Sequence, residues 1–96
     1  MLLGNYFTNI DNSKKKIFFS GISFNSKNIK KDNIFFAIKG NNFDGNKFIS
    51  TAIKKGSKVI ISEKRIANFQ KDILFIHTKN IRKLLAEIAF KIYKNK

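Results

Sequence analysis

Ninety-six residues with 43% hydrophobic and 27% charged side chains fit one small globular domain and leave no room for a second core. With no cysteine and one histidine, His77, a disulfide scaffold, a cysteine-ligated metal and a multi-histidine metal site are excluded. Basic residues outnumber acidic ones by 20 to 6, a net charge of +14 that attracts polyanions, although only Arg65 and Arg82 among the basic residues are arginine.

Leu2, Leu3, Tyr6, Phe7 and Ile10 recur at helical spacing and predict a short N-terminal helix. No Lys or Arg precedes these apolar residues, so the start does not read as a signal peptide. No apolar run approaches the ~18 residues of a membrane span, and a cytoplasmic protein is expected. Asp11–Ser13 and the lysine run Lys14–Lys16 read as a loop. The stretch 17–24, IFFSGISF, predicts a strand, and 25–33 a polar turn. The continuous apolar run 34–38, IFFAI, suits a strand buried on both faces. KGNNFDG, 39–45, reads as a loop, after which Asn46 is expected to cap a helix. Phe48, Ile49, Ala52 and Ile53 give that helix one apolar face, and Gly56 ends it. KVIIS (58–62) and ILFI (73–76) predict two more buried strands. Thr78 or Asn80 then caps a last helix with the stripe Ile81, Leu84, Leu85, Ile88, Ala89 and Ile92. Apolar strand runs flanked by helices predict a single small α/β layered domain, with a right-handed βαβ unit from Ile34 to Ile61.

Catalytic constellations are sparse. His77 stands alone at a strand end, and the acidic residues show no paired-carboxylate spacing. The loop bracketed by Gly40 and Gly45 is not a nucleotide-triphosphate loop, because Asn46 stands where lysine would be needed. Two polar stretches remain: Ser23–Lys27 and Gly40–Gly45. Each follows an apolar strand, where ligands of open α/β sheets gather. Their Asn and Ser side chains can read a sugar or base edge, and an exposed Phe43 could stack on a base. The same residue types also make ordinary turns.

These stretches carry a family resemblance. The run Gly21–Glu63 resembles the N-terminal domain of the Mur ligases, the ATP-dependent amino-acid ligases of peptidoglycan precursor synthesis. Asn25-Ser26-Lys27 stands where that family has Asp-Ser-Arg at a strand end. Asp32-Asn33-Ile34-Phe35-Phe36-Ala37 matches its next strand start, and Asp44-Gly45-Asn46-Lys47-Phe48-Ile49 its Asp-Gly-His-x-Phe-Ile helix start. The tail LLAEIAFKIYKNK fits the helix closing the domain, so the resemblance covers residues 1–96. Within the family, the Phe90-to-Tyr93 close of that helix and the short N-terminal helix favour the tripeptide-synthetase branch. The branch adding the D-Ala-D-Ala dipeptide is the alternative.

The resemblance implies a domain that holds the UDP-MurNAc part of a UDP-MurNAc-dipeptide substrate. Carried over by motif position, Phe24, Ser26, Asn41, Asn42 and Phe43 would contact it. Lys27 in place of Arg, Asn41-Asn42 in place of His-Gln or Glu-Asn, and Asn46 in place of His are departures that keep hydrogen-bonding capacity. The resemblance also places ATP, Mg²⁺ and the amino-acid pocket in central and C-terminal domains outside these residues, and implies no catalytic residue, metal or cofactor within them. The partners implied are the substrate and those domains. A small basic nucleic-acid-binding module is the rival reading from charge. It is opposed by the placement of most phenylalanines in buried-looking runs and by the lack of an RNA-binding signature.

Overall fold

The computed structural model describes residues 1–8, 10–65, 70 and 72–94. Four short strands, β1 (Gly21–Ser23), β2 (Asn33–Ala37), β3 (Val59–Ser62) and β4 (Leu74–His77), form one sheet in sequence order. Every pairing is parallel, with Ile22 beside Ile34, Ile34 beside Val59, and Val59 beside Leu74. A parallel sheet in a small domain must be covered on both faces, because neither face carries enough polar side chains to meet water.

The strand alternation meets that demand. All five residues of β2 are buried. Ile34 and Phe36 point to one side with Val59 and Ile61 of β3, where they meet Leu3, Phe7, Phe19, Ile81 and Ile88. Phe35, Ala37 and Ile60 point to the other, against Ile29 and Ala52. The first face is covered by α2 (Ile81–Lys94) and the N-terminal residues, the second by α1 (Ile49–Lys54). The stripe predicted for the last helix is the buried one: Ile81 and Ile88 lie in the core, with Leu84, Leu85 and Ile92 packed on it. Phe48, Ile49, Ala52 and Ile53 likewise pack on the opposite face. Gly56 closes α1 as expected, at φ +108°, with its N–H donating to the Ile53 carbonyl at 3.0 Å.

Four expectations are corrected. The N-terminal helix is a single 3-10 turn, Leu3–Asn5. Residues 1–4 pair instead with residues 15–19: Leu3 N–H donates to the Ile17 carbonyl and Phe19 N–H to the Met1 carbonyl, both at 2.8 Å. That pairing occupies Ile17–Phe19, so the strand expected over 17–24 shrinks to Gly21–Ser23. The helix cap is Asp44 rather than Asn46. Its carboxylate accepts the Asn46 N–H, and the element opens as a 3-10 turn, Gly45–Phe48, before α1. His77 lies within β4 rather than after it. Residues 95 and 96 of the expected closing helix lie outside the described residues.

The loop after β2 returns tightly on that strand. Gly45 N–H donates to the Ile38 carbonyl at 2.8 Å, and a methyl group on Gly45 would meet the Ile38 nitrogen at 2.8 Å and its oxygen at 2.9 Å. These are backbone atoms of the central strand's exit and cannot move aside cheaply. Gly45→Ala is therefore expected to cost about 1–3 kcal/mol in denaturant unfolding, the range for forced overpacking. Gly21→Ala, where the methyl would sit an ordinary 3.5 Å from the Asn33 amide nitrogen, should cost less. Equal losses in the two variants would refute the close-approach argument.

Candidate functional site

Because the strands are parallel, the segments that leave their C-terminal ends share one edge of the sheet. After β1, the Ser23 hydroxyl donates to the Asn25 carbonyl at 3.0 Å, and the Asn25 side chain accepts the Lys27 N–H at 2.9 Å. These bonds set a 3-10 turn, Ser26–Asn28, that the sequence reading had only as polar turn. Lys55, just past α1, ties the turn down by donating to the Ser26 carbonyl at 2.7 Å. Ser26 is thus mostly buried, yet its hydroxyl has no hydrogen-bond partner among the described residues. Phe24, immediately before it, projects into solvent at 58% exposure.

After β2, Lys39 pairs with Asp44 and Gly40 N–H donates to the Phe43 carbonyl at 2.6 Å, so Gly40–Phe43 form a tight turn. Asn41 and Asn42 sit exposed at its tip, and their side chains make no hydrogen bond with another described residue. Phe43 stacks on Phe48 with ring centroids 5.3 Å apart and planes 12° from parallel. It stays 46% exposed, so its outer face remains open.

Between β2 and β3 runs a polar network that the sequence reading did not find. The Asp44 carboxylate accepts from the Asn46 backbone at 2.9 Å and from its side-chain amide at 2.8 Å. The Ser62 hydroxyl, at the end of β3, donates to the Asn46 side-chain oxygen Oδ1, and Lys64 N–H donates to that hydroxyl. Lys64 Nζ lies 3.4 Å from Asp44. These bonds hold the Asp44 carboxyl below its ordinary value: the Asn46 side chain contributes most, then the Asn46 backbone, with Lys64 adding and partial burial opposing. The Glu63 carboxylate, next along, accepts the Ile81 N–H at 2.9 Å, and Asn80 accepts the Lys83 N–H at 3.1 Å. Local sequence could signal the Asn80 cap. The Asn46–Ser62 and Glu63–Ile81 bonds join residues 16 and 18 apart, the first formed only once the βαβ unit has closed and the second only once α2 has docked.

The five residues implied by the resemblance therefore fall on two loops at the same end of neighbouring strands: Phe24 and Ser26 after β1, and Asn41, Asn42 and Phe43 after β2. A cavity of about 630 Å³ is elsewhere. It lies at the N-terminal ends of the strands, between Asp32, Lys58 and Leu74, and none of the five lines it. Phe24 lines a shallower depression of about 330 Å³ with Ile22, Arg82 and Leu85. The described residues contain no group of three or more His, Cys, Asp or Glu placed to hold a metal ion. No helix among them is long and apolar enough to cross a membrane.

Comparison with known proteins decides the family. A family model described as "Mur ligase family, catalytic domain" matches residues 18–93. The chain belongs to the Mur ligase family. Among relatives, it is 49% identical over 89 residues to the UDP-N-acetylmuramoyl-L-alanyl-D-glutamate–2,6-diaminopimelate ligase of Clostridium tetani, covering 91% of this chain and 18% of that protein. It is 36% identical over 72 residues to the UDP-N-acetylmuramyl-tripeptide synthetase of Borrelia garinii, covering 73% of this chain and 14% of that protein. Among solved structures, the MurF ligase of Thermotoga maritima in complex with ADP aligns with TM-score 0.63 and 30% identity, over 77% of this chain and 17% of the other. The Mur ligase chain described here thus spans less than a fifth of the length of these relatives. The expected layered α/β domain is shown by both the sheet and this structural likeness.

The strand-end network makes a pH prediction for this Mur ligase domain. A carboxyl whose folded value is depressed adds stability above the ordinary carboxylate range, and that stability is lost as pH falls through the folded value. Asp44→Asn should therefore lower the melting temperature at neutral pH. It should also flatten the fall in stability below about pH 4. Thermal melts across that range check this, and an unchanged acid slope would show that Asp44 is not linked to folding.

Proposed function

We propose that these residues form the UDP-sugar-binding domain of a tripeptide-synthetase-type Mur ligase and hold the UDP-MurNAc part of UDP-MurNAc-L-Ala-D-Glu. The observation that carries this reading is the set of unpartnered polar side chains, Ser26, Asn41 and Asn42, on two loops at one end of adjacent parallel strands. A chain 49% identical to a ligase named for that substrate supports it. The flanking Phe24 and Phe43 rings offer apolar faces for the uracil or sugar. Positioning the substrate is this domain's share of catalysis. Phosphorylation of the substrate carboxylate by ATP, and attack of the incoming amine on the acyl-phosphate, would be carried by the rest of the ligase, with Mg²⁺. No catalytic step is assigned to these residues, and a cytoplasmic location follows from the substrate.

The binding residues are used sparingly in folding, so they can be changed without unfolding the domain. Amide-resolved NMR titration with UDP-MurNAc-L-Ala-D-Glu should shift residues 24–27 and 41–45. Ser26→Ala and Asn42→Ala should each weaken binding by about 1 kcal/mol, roughly fivefold, the value of one hydrogen bond. Variants that bind like the parent would remove those contacts from the site. Saturable, localised binding of a short DNA with no response to the sugar nucleotide would replace the reading by the nucleic-acid one. Diffuse lysine shifts that vanish with salt would reflect only the +14 charge.

A further inference from the structure

One charged side chain borders both loops while belonging to neither. Arg82 sits in the first turn of α2. A methyl group built on Gly40 would lie 3.9 Å from the Arg82 Nη2, so the guanidinium stands beside the start of the Gly40–Phe43 turn. The same side chain lines the depression that holds Phe24. It therefore occupies the gap between the loop after β1 and the loop after β2.

Arg82 is also free to act. It is exposed, and it makes no hydrogen bond or ion pair with another described residue. The nearby carboxylates are engaged: Glu63 with the Ile81 N–H, and Asp44 with Asn46 and Lys64. The α2 amides of Ile81 and Lys83 already have acceptors, so the anion-directed group at this place is the side chain and not the helix end. The other arginine, Arg65, lies beside Lys64 and His77 at the far edge of the sheet.

We propose that Arg82 holds the diphosphate of the bound UDP-sugar, bridging the two loops that grip its ends. The proposal rests on the UDP-sugar reading above. A guanidinium is planar and offers paired N–H donors matched to two phosphate oxygens, which a lysine ammonium cannot reproduce. In a chain where lysines are many and arginines few, one of the two arginines stands beside both loops.

The test titrates the chain and its variants with UDP-MurNAc-L-Ala-D-Glu, with UDP, and with uridine. Arg82→Gln should weaken the two diphosphate ligands about tenfold or more, while leaving the shifts at residues 24–27 and 41–45 in place at saturation. It should also make their binding less sensitive to salt. Arg82→Lys should fall between the two, and Arg65→Gln should match the parent. Unaltered amide shifts away from the first turn of α2 will show that Arg82→Gln is folded. Binding within twofold of the parent would overturn the role of Arg82 and leave the UDP-sugar reading standing. A loss confined to the dipeptide-bearing ligand, with UDP unaffected, would move Arg82 onto a carboxylate and refute the diphosphate assignment. A parent chain with no shifts at the two loops would end the UDP-sugar reading itself.

Discussion

The rest of the structure depends on the burial of β2 on both of its faces. Asn33–Ala37, with β3 beside it, is a strand through which the two hydrophobic clusters meet back to back. With no polar face to spare, it suits a sheet whose neighbours run parallel and whose connections cover both sides. Parallel pairing in turn puts every strand exit on one edge. Two loops rich in Ser and Asn become neighbours for that reason, with no direct bond between them.

Those loops are built on a division of labour among similar residues. Asn25 and Asn46 spend their side chains on the backbone, or on Asp44 and Ser62, and so fix the loop shapes. Asn41 and Asn42 do not, and stay available at a turn closed by main-chain bonds. The acidic residues show the same economy. Asp32 pairs with Lys58, Asp44 with Asn46 and Lys64, and Glu63 caps α2. The strand-end edge is therefore left with cations and amides facing outward, a surface suited to an anionic, oxygen-rich ligand.

Most of the fold was legible because its signals are local. IFFAI, KVIIS and ILFI are short, continuous and apolar, and the stripe from Ile81 to Ile92 is helical by period. The errors share one cause, which is partners distant in sequence. The N-terminal apolar residues have helical spacing, but the backbone of Ile17–Phe19 offers them a pairing that local periodicity cannot register. Asp44 and Asn46 are both good caps by type. The choice fell to Asp44 because Asn46 is drawn toward Ser62, a residue brought near only by the crossover. The two loops of the candidate site were legible as polar stretches after strands. That Ser26 would be mostly buried, and Phe43 stacked on Phe48, was not.

Arg82 shows why a site of this kind is only half visible in a sequence. It sits 42 positions after Gly40 and belongs to a helix whose legible content is its apolar stripe. The helix must bury Ile81, Leu84, Leu85 and Ile88 against the sheet, and that fixes its rotation. With the rotation fixed, position 82 turns away from the core and toward the strand-end loops. Its place is thus a consequence of core packing rather than of any motif around it. A side chain delivered to a surface gap by the burial of its neighbours costs the fold little, because no core contact depends on its identity. That freedom is what allows such a position to serve a ligand.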